Sequence, residues 1–508
     1  MPGKEFGQNV FTFWHFLYLP PLFTISMFVF TNIVTYHLQL QQNKTTCVAA
    51  VEHYLSQINE HKKLNAFVDL YACEALAKAA ELDGKRLAGQ PLKKLHGVVI
   101  AIKDVICYKG HRVTAASGIL KDFISLYTAT ALQYLLDEDA IIIGSTNCDE
   151  FAMGSSNENS VYGKVLNAAD NSTVPGGSSG GSAVAVQAGM CMLSLGSDTG
   201  GSVRQPADFC GVIGLKPGYG RISRYGLIAY ASSFDQIGIF GTTLQDVALI
   251  LQIMSMPDRR DGTMLQTAAP VDFTGYKTAV DNKARICYFK EALEHEGLDK
   301  EIKEQLQGFI GTLSQNGYQV DEVSFDLLDY IVPTYYVLTT AEASSNLGRY
   351  DGIRYGTASK TIPGNLEEFY SLNRSEGFGM EVKRRIMLGT FVLSTGYYDA
   401  YFSKAQKIRR MLVERTQALF EKYDVILMPV SPSTAFPIGQ NHKNPVAMYL
   451  ADIYTVFANL TGIAAIALPL FLHSNNLPFG LQIMSKSDNE LILLSAANDL
   501  MDLKSSNL

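Results

Sequence analysis

Apolar and polar positions along the chain follow two periods, that of a helix and that of a buried strand. Apolar residues recur at helical spacing over Thr45–Ile58 and Cys73–Leu87. Short and nearly continuous apolar runs at Leu95–Asp104 and Ala140–Ile143 have the length and composition of strands buried on both faces. This part of the chain therefore predicts helices that alternate with strands.

The alternation returns in the second half of the chain. The pattern there predicts short strands at 284–290 and 318–323, helices at Lys300–Gln315 and Tyr401–Tyr423, and a strand at Val425–Met428. Between the two halves, up to about residue 241, Gly, Ser and Asn are frequent, but apolar runs such as 183–196 interrupt them. Flexible linkers lack such runs. We therefore expect a folded α/β core with many tight turns and helices on both faces of a sheet.

The N-terminal stretch departs from this pattern. No charged residue lies between Phe6 and Asn43, and Phe11–Val34 is long enough to span a bilayer. Pro20 and Pro21 lie inside that stretch and would interrupt a membrane helix. Of the two interpretations, a membrane segment or a non-native or disordered apolar extension, we expect the extension at residues 1–26, and no membrane association. The domain would then cover residues 27–505, with Val34, Leu38 and Leu40 packing as an N-terminal helix.

Composition narrows the functional classes. The chain has 508 residues, a net charge of −7 and a pI near 5.8, which argues against a surface that binds nucleic acid by itself. If RNA is involved, a partner holds most of it. Seven cysteines are scattered without a CxxC pair. Such usage is typical of reduced thiols in a cytoplasmic protein and predicts no metal site.

The stretch "VPGGSSGGSAVAVQAG" (174–189) is the first candidate for chemistry. A phosphate-binding loop would need the pattern GxxxxGK[ST], which does not occur in the sequence. A serine hydrolase with a histidine base is also disfavoured, because no histidine lies between His111 and His295. The remaining candidate is a serine nucleophile with a lysine base, which must be neutral to accept a proton.

Lys103 is suited to that role, because it follows the apolar run "VVIAI" directly. Burial at the end of a strand favours a neutral lysine. The alternative is that Lys103 reaches solvent or pairs with Asp104. A second Gly-Gly-Ser follows at Gly200, Gly201 and Ser202, where backbone N–H groups can converge as an oxyanion hole requires.

These motifs resemble those of the amidase signature family. Lys103, Ser178 of "PGGSSGG" and Ser202 of "TGGSVRQP" match its Ser–cis-Ser–Lys triad, at spacings of 75 and 24 residues. The resemblance implies an amidase-signature fold with a central mixed sheet, and Ser202 as the nucleophile. It also implies that Ser178, in a cis peptide bond after Gly177, relays the proton to Lys103. Backbone amides of Thr199, Gly200 and Gly201, together with that of Ser202, would hold the oxyanion.

Longer segments resemble one branch of the family, the A subunits of the aspartyl/glutamyl-tRNA amidotransferases. The segments are 146–163, 341–356, 375–402 and 448–455. The branch implies hydrolysis of glutamine and transfer of ammonia to the B subunit, which would use ATP and Mg on misacylated Glu-tRNA(Gln) or Asp-tRNA(Asn). The B and C subunits would be partners, tRNA would bind through the B subunit, and this chain would bind no cofactor. The alternative is a stand-alone amidase for small amides.

A glutamine pocket needs a cation for the carboxylate and an anion for the ammonium. By resemblance these are Arg385 and Asp452, and arginine suits a carboxylate because its planar fork binds both oxygens. Helical spacing places Arg385 on the inward face with Val382, whereas Arg384 faces outward. The alternative is that the whole "KRR" run is a solvated face. We expect a catalytic core at about 95–245 and a second half at about 280–500 that completes the pocket.

Six positions depart from the usual family pattern. Val99, Lys164, Ile239 and Ala464 replace a usual proline, Gly218 replaces a threonine, and Asp208 stands where a small apolar residue is expected. None belongs to the triad or the pocket. They bear on stability or loop geometry rather than on the chemistry.

Overall fold

A computed structural model of the chain describes residues 28–265, 271–278, 282–361, 363–440 and 452–506. The predicted extension at residues 1–26 lies outside these ranges. Within them the helices are α1 (Ile33–Gln41), α2 (Cys47–Glu60), α3 (Ala72–Leu87), α4 (Thr130–Asp137), α5 (Gly180–Gln187), α6 (Arg204–Cys210), α7 (Leu244–Met254), α8 (Lys290–Glu294), α9 (Lys300–Gln315), α10 (Leu328–Asn346), α11 (Leu366–Gly377), α12 (Met380–Leu393), α13 (Lys404–Phe420), α14 (Val456–Thr461) and α15 (Glu490–Ser506).

The strands form one mixed sheet. They are β1 (Phe67–Leu70), β2 (Val99–Lys103), β3 (Ile141–Thr146), β4 (Leu193–Asp198), β5 (Ile213–Lys216), β6 (Gln236–Gly241), β7 (Ile286–Phe289), β8 (Val320–Val323), β9 (Val425–Pro429), β10 (Ala464–Leu472) and β11 (Pro478–Ser485). Their order is β1-β3-β2-β4-β6-β5-β10-β11-β9-β7-β8. Strands from both halves of the chain therefore share one sheet, and the predicted mixed α/β architecture is confirmed.

Helices cover both faces of this sheet. Helices α5 and α6 pack on each other and on β4 and β5, while α7 and α15 pack on each other and on β6 and β10. The predicted elements at 45–58, 73–87, 300–315 and 425–428 correspond to α2, α3, α9 and β9. No helix in the described ranges is long and apolar enough to cross a bilayer.

Parallel pairing of β2 with β3 and with β4 determines where the site forms. Because β2 is parallel to both neighbours, the three strands end at the same edge of the sheet. Lys103 is the last residue of β2, Thr146 of β3 and Asp198 of β4. The segments that follow β3 and β4 therefore meet beside Lys103.

The N-terminal helix α1 corrects one sequence prediction. Val34 and Leu38 were expected to pack on the domain, but they are 48% and 49% exposed, and of the predicted three only Leu40 is buried. The helix packs through Ile33 and Tyr36 instead. The Ile33 amide also donates to the buried Asp246 carboxylate at 3.0 Å, which sets the helix rotation that the apolar pattern alone did not reveal.

Candidate active site

Lys103 is fully buried and donates to three serine hydroxyls. Its Nζ lies 2.7 Å from Ser178 Oγ, 2.8 Å from Ser179 Oγ and 3.0 Å from Ser197 Oγ. The Gly177–Ser178 peptide bond is cis, as the resemblance implies. The side chain of Lys103 thus neither reaches solvent nor pairs with Asp104, which instead accepts from Thr114 and Ala116.

Burial also changes the acidity of this lysine. It lowers the pKa of Lys103 to about 8, although the nearby Cys148 and Asp149 oppose the shift. An ammonium loses its hydration when buried, so the neutral amine gains relative to the charged form. With a pKa of about 8, roughly a tenth of Lys103 is neutral at pH 7, and this fraction can accept a proton.

Ser202 lies at the open side of this cluster. It is 8% exposed, whereas Ser178 is fully buried. The Ser179 amide donates to the Ser202 carbonyl at 3.2 Å, so the loops that carry the two predicted catalytic serines are joined directly. Within the described residues Ser202 Oγ makes no hydrogen bond. That hydroxyl is free to meet a substrate.

Two of the lysine's serine partners were missed by sequence reasoning. Ser179 Oγ accepts from Lys103, donates to the Ser197 carbonyl at 3.1 Å and accepts from the Ser197 amide at 3.3 Å. Ser197 lies on β4, the strand that pairs in parallel with β2. These contacts fix the direction of the Lys103 side chain toward Ser178. The only sequence signal was the second serine of "PGGSSGG".

The predicted oxyanion loop needs one correction. The Gly201 amide donates to Asp198 Oδ1 at 2.8 Å, so it is already occupied and is not directed at a substrate. The amides of Thr199, Gly200 and Ser202 make no hydrogen bond to another described residue. Gly201 has φ +119°, and a Cβ there would overlap Thr455, so only glycine fits. The free amides that remain are those of Thr199, Gly200 and Ser202.

A buried ion pair supports that loop from behind. Arg204 contacts both oxygens of Asp198, at 3.2 and 3.0 Å, and neither side chain is exposed. Burial alone would raise the pKa of Asp198, but the charge and hydrogen bonds of Arg204 lower it to about 2. Asp198 therefore stays ionised and holds the amides of Gly201 and Val203. Sequence reasoning missed this pair, although both residues flank "TGGS".

Arg385 lies inside the fold, as its helical spacing predicts. It is buried on α12, while the side chain of its neighbour Arg384 is 45% exposed. Arg385 donates to Glu381 at 2.9 Å and to the Tyr230 hydroxyl at 2.8 Å. Burial alone would lower the pKa of Arg385, but Tyr230, Tyr336 and Glu381 hold it well above its usual range. The guanidinium is therefore a permanent buried cation.

Tyr336 connects Arg385 to Asp452. The Arg385 guanidinium lies 5.4 Å from the centre of the Tyr336 ring, and the Tyr336 hydroxyl donates to Asp452 Oδ2 at 2.7 Å. Burial raises the pKa of Asp452 to about 7, although the Tyr336 hydrogen bond and the charge of Arg385 oppose the rise. One cation and one titratable anion thus lie around a tyrosine that sequence reasoning did not identify.

The segments around Asp452 and around Tyr230, the hydroxyl partner of Arg385, both contact the Thr199–Ser202 loop. Thr455, three residues after Asp452, donates to the Gly200 carbonyl at 2.7 Å. On the other side, Tyr230 donates its amide to Asp235, which accepts from Thr199 Oγ1 at 2.6 Å. The structure therefore brings the predicted triad, the predicted cation and the predicted anion to one loop.

Comparison with known proteins identifies the family. The family model for amidases matches residues 49–494. The A subunit of a glutamyl-tRNA(Gln) amidotransferase from Koribacter versatilis is 48% identical over 90% of this chain and 95% of its own length. The A subunit of that name from Fusobacterium nucleatum is also 48% identical, over 90% of this chain and 93% of its own length.

A solved structure supports the same assignment. The A subunit of glutamyl-tRNA(Gln) amidotransferase from Thermotoga maritima superposes with a TM-score of 0.74 at 36% identity, covering 92% of this chain and 93% of that one. A family match over most of the chain, relatives near half identity and a shared fold agree with the geometry of the site. The chain belongs to the amidase family, and within it to the group of glutamyl-tRNA(Gln) amidotransferase A subunits.

Proposed function

We propose that this chain is the glutaminase of a tRNA-dependent amidotransferase. The observation that carries the proposal is the buried Lys103–Ser178 hydrogen bond of 2.7 Å beside the open Ser202 hydroxyl. A serine hydroxyl becomes a useful nucleophile when a neighbouring base removes its proton. The Arg385 and Asp452 charges supply the complement to a free amino acid, which favours glutamine over an apolar amide.

The chain's own residues account for the chemical steps. Ser202 Oγ attacks the side-chain amide carbon of glutamine while its proton passes to Ser178, whose own proton passes to neutral Lys103. The amides of Thr199, Gly200 and Ser202 stabilise the oxyanion. The C–N bond then breaks, and the nitrogen leaves as ammonia with the proton returned through Ser178. Water attacks the resulting Ser202 ester by the same relay and releases glutamate.

Arg385 and Asp452 hold the amino acid end of the substrate in this proposal. The Arg385 guanidinium binds the α-carboxylate, since a planar fork matches two carboxylate oxygens. Ionised Asp452 binds the α-ammonium, and the Tyr336 hydroxyl orients that carboxylate. These contacts leave the side-chain amide directed at Ser202.

The ammonia would serve a partner. The relatives are named as subunits of a glutamyl-tRNA(Gln) amidotransferase. We infer that the B subunit receives the ammonia and uses ATP and Mg to amidate Glu-tRNA(Gln), with Asp-tRNA(Asn) as a further substrate, and that the C subunit completes the complex. The acidic net charge of this chain fits tRNA binding through the B subunit rather than directly. A cytoplasmic location is consistent with seven free cysteines.

The experiment compares two ammonia sources in the assembled complex. Ser202→Ala should abolish amidation of Glu-tRNA(Gln) with glutamine as the donor, while amidation with ammonium chloride persists, because the B subunit carries out that step. Asp-tRNA(Asn) is assayed in parallel. Loss of both activities together, in a complex that still assembles, would contradict the proposed division of labour.

The second candidate is a stand-alone amidase. It predicts that glutamine hydrolysis does not change when the B and C subunits are added, and that apolar amides are hydrolysed faster than glutamine. The buried Arg385 argues for the amidotransferase, because a buried cation disfavours an apolar acyl group.

A further inference from the structure

Glu150 lies between the Ser178 loop, which is the loop that carries this residue of the triad, and helix α12, which carries Arg385. It begins a short 3₁₀ turn (Glu150–Ala152) after strand β3, and it is only 4% exposed. The preceding residue, Asp149, donates its amide to the Ser178 carbonyl at 3.1 Å. The backbone beside Glu150 therefore contacts the triad directly.

The side chain of Glu150 points the other way, to the start of α12. Its Oε2 and Oε1 accept from the Gly379 amide at 2.8 and 3.1 Å, and Oε1 also accepts from Ser117 Oγ. Gly379 is the N-cap of α12, the helix that carries Arg385. A carboxylate at a helix N-terminus satisfies an amide that has no partner within the helix and favours the helix dipole.

The packing around this contact leaves little room for movement. A Cβ at Gly379 would overlap Glu150 Oε2, and a Cβ at Gly377 would lie 2.8 Å from the Ile119 Cβ. Ser117 Oγ also lies 3.3 Å from the Gly377 carbonyl. The start of α12 is therefore fitted closely against the catalytic half of the chain.

The electrostatics of the contact agree with this geometry. Burial raises the pKa of Glu150 to about 7, while the hydrogen bonds from Ser117 and Gly379, with the charge of Lys383, oppose the rise. Those bonds stabilise the ionised carboxylate, which is the form that accepts all three.

We propose that Glu150 is a positioning residue for substrate binding, because its carboxylate joins the Ser178 loop to the start of α12 and so sets the distance between Arg385 and the nucleophile. Glu150 does not contact the reacting atoms. The inference rests on the proposed function, since the substrate carboxylate is what Arg385 would hold.

The test measures KM and kcat for glutamine in the assembled complex. Glu150→Ala should raise the KM about tenfold, with kcat within about twofold, because a misplaced anchor weakens binding before it affects the nucleophile. Glu150→Gln keeps one oxygen for the Gly379 amide, so we expect it to restore most of the loss. Glu376→Ala is the matched control. Glu376 is exposed, and together with Glu150 it lines a cleft of about 320 Å³.

The outcomes separate this inference from the proposed function. An unchanged KM in Glu150→Ala, or an equal rise in Glu376→Ala, would overturn the inference while wild-type glutaminase activity upholds the function. A fall in kcat at unchanged KM would also overturn it. If Glu150→Ala does not fold, Ser117→Ala decides, because it removes one of the donors that hold the Glu150 carboxylate, and a KM equal to that of the wild type rejects the role. A wild-type complex without glutaminase activity would reject the proposed function itself.

Discussion

The two ends of the site are built in different ways. The triad end comes from one stretch, residues 103–202, whose strands lie side by side, and Lys103 there contacts three serine hydroxyls. The glutamine end joins Tyr230, Tyr336, Arg385 and Asp452, whose elements are far apart in the sequence. The first end is a network of hydroxyls around a lysine, and the second is a cation over tyrosine rings with an acid bound to the hydroxyl of one of them.

The two ends should differ in how they tolerate substitution. In the proposed mechanism each member of the triad passes a proton to its neighbour, so the loss of one member should stop the relay. At the glutamine end each group only binds, so its loss weakens affinity by a limited factor. Substitutions at the two ends should therefore separate into effects on kcat and effects on KM.

The largest effect is expected at the base. Lys103→Arg should lose about 10³-fold or more in kcat on glutamine, as much as Lys103→Ala, because arginine is not deprotonated in proteins. Rates of glutamate release measure the loss, and thermal unfolding checks that both variants fold. Activity of Lys103→Arg within about tenfold of the wild type would reject a neutral-lysine mechanism.

The carboxylate anchor should show the opposite signature. Arg385→Lys keeps the charge but loses the planar fork, so we expect the KM for glutamine to rise about 10- to 100-fold with kcat nearly unchanged. Butanamide, the glutamine side chain without its charged groups, should be hydrolysed as by the wild type. Arg384→Lys, one residue away on the exposed face, is the matched control. Equal effects of the two substitutions would exclude a specific role for Arg385.

The same contrast shows how far sequence reasoning reaches. Lys103, Ser178 and Ser202 were predicted because each lies in a short motif and the motifs fall within 100 residues. Tyr336 could not be found that way, since its role depends on a hydrogen bond to a residue 116 positions later in the chain. The binding roles of Arg385 and Asp452 come only from the family resemblance, although helical spacing predicts that Arg385 faces inward.

Hydrogen bonds to buried carboxylates explain the errors. Val34 and Leu38 were expected inside, but the Asp246 carboxylate turns α1 so that Ile33 and Tyr36 face the core. Likewise, Gly201 was assigned to the oxyanion hole, although its amide belongs to Asp198. Both cases involve a buried carboxylate, whose partners a hydrophobic pattern does not specify.

The pH dependence of kcat/KM should distinguish the triad end, which contains Lys103, from the glutamine end, which contains Asp452. The proposed mechanism requires neutral Lys103 and ionised Asp452, and burial brings their pKa values to about 8 and about 7. Protonation on lowering the pH inactivates both groups, so kcat/KM for glutamine should fall about tenfold per pH unit below 8 and about 100-fold per unit below 7. Butanamide has no ammonium for Asp452 to bind. Its kcat/KM should therefore fall only about tenfold per pH unit at all values below 8, including those below 7.

Asp452→Asn sharpens this measurement. The substitution removes the ionisation near pH 7. The dependence of kcat/KM on pH for glutamine should then have the single tenfold slope expected for butanamide, at a lower kcat/KM. A profile for Asp452→Asn that keeps the double slope would assign the lower ionisation to another group.

The smallest effect on activity is expected at Asp208, a buried acid that differs from Asp198 in its partners. Asp198 is paired with Arg204, but within the described residues Asp208 Oδ1 has no hydrogen-bond partner. Burial raises the pKa of Asp208 well above its usual range, and the Gly480 amide opposes this only in part. Asp208→Ala should therefore raise the free energy of unfolding by about 1–3 kcal/mol at neutral pH, with glutaminase activity unchanged.

The effect of Asp208 on stability should depend on pH. The folded protein holds the carboxyl proton of Asp208 more tightly than the unfolded chain, so the carboxylate destabilises the fold increasingly as pH rises above about 4. Urea unfolding at pH 5 and pH 8 should then show that Asp208→Ala raises the free energy of unfolding more at pH 8 than at pH 5. Asp198→Ala should instead destabilise, because it leaves Arg204 buried without its partner. A gain from Asp208→Ala that is equal at both pH values would mean that cavity and packing changes, rather than the buried carboxylate, set its sign.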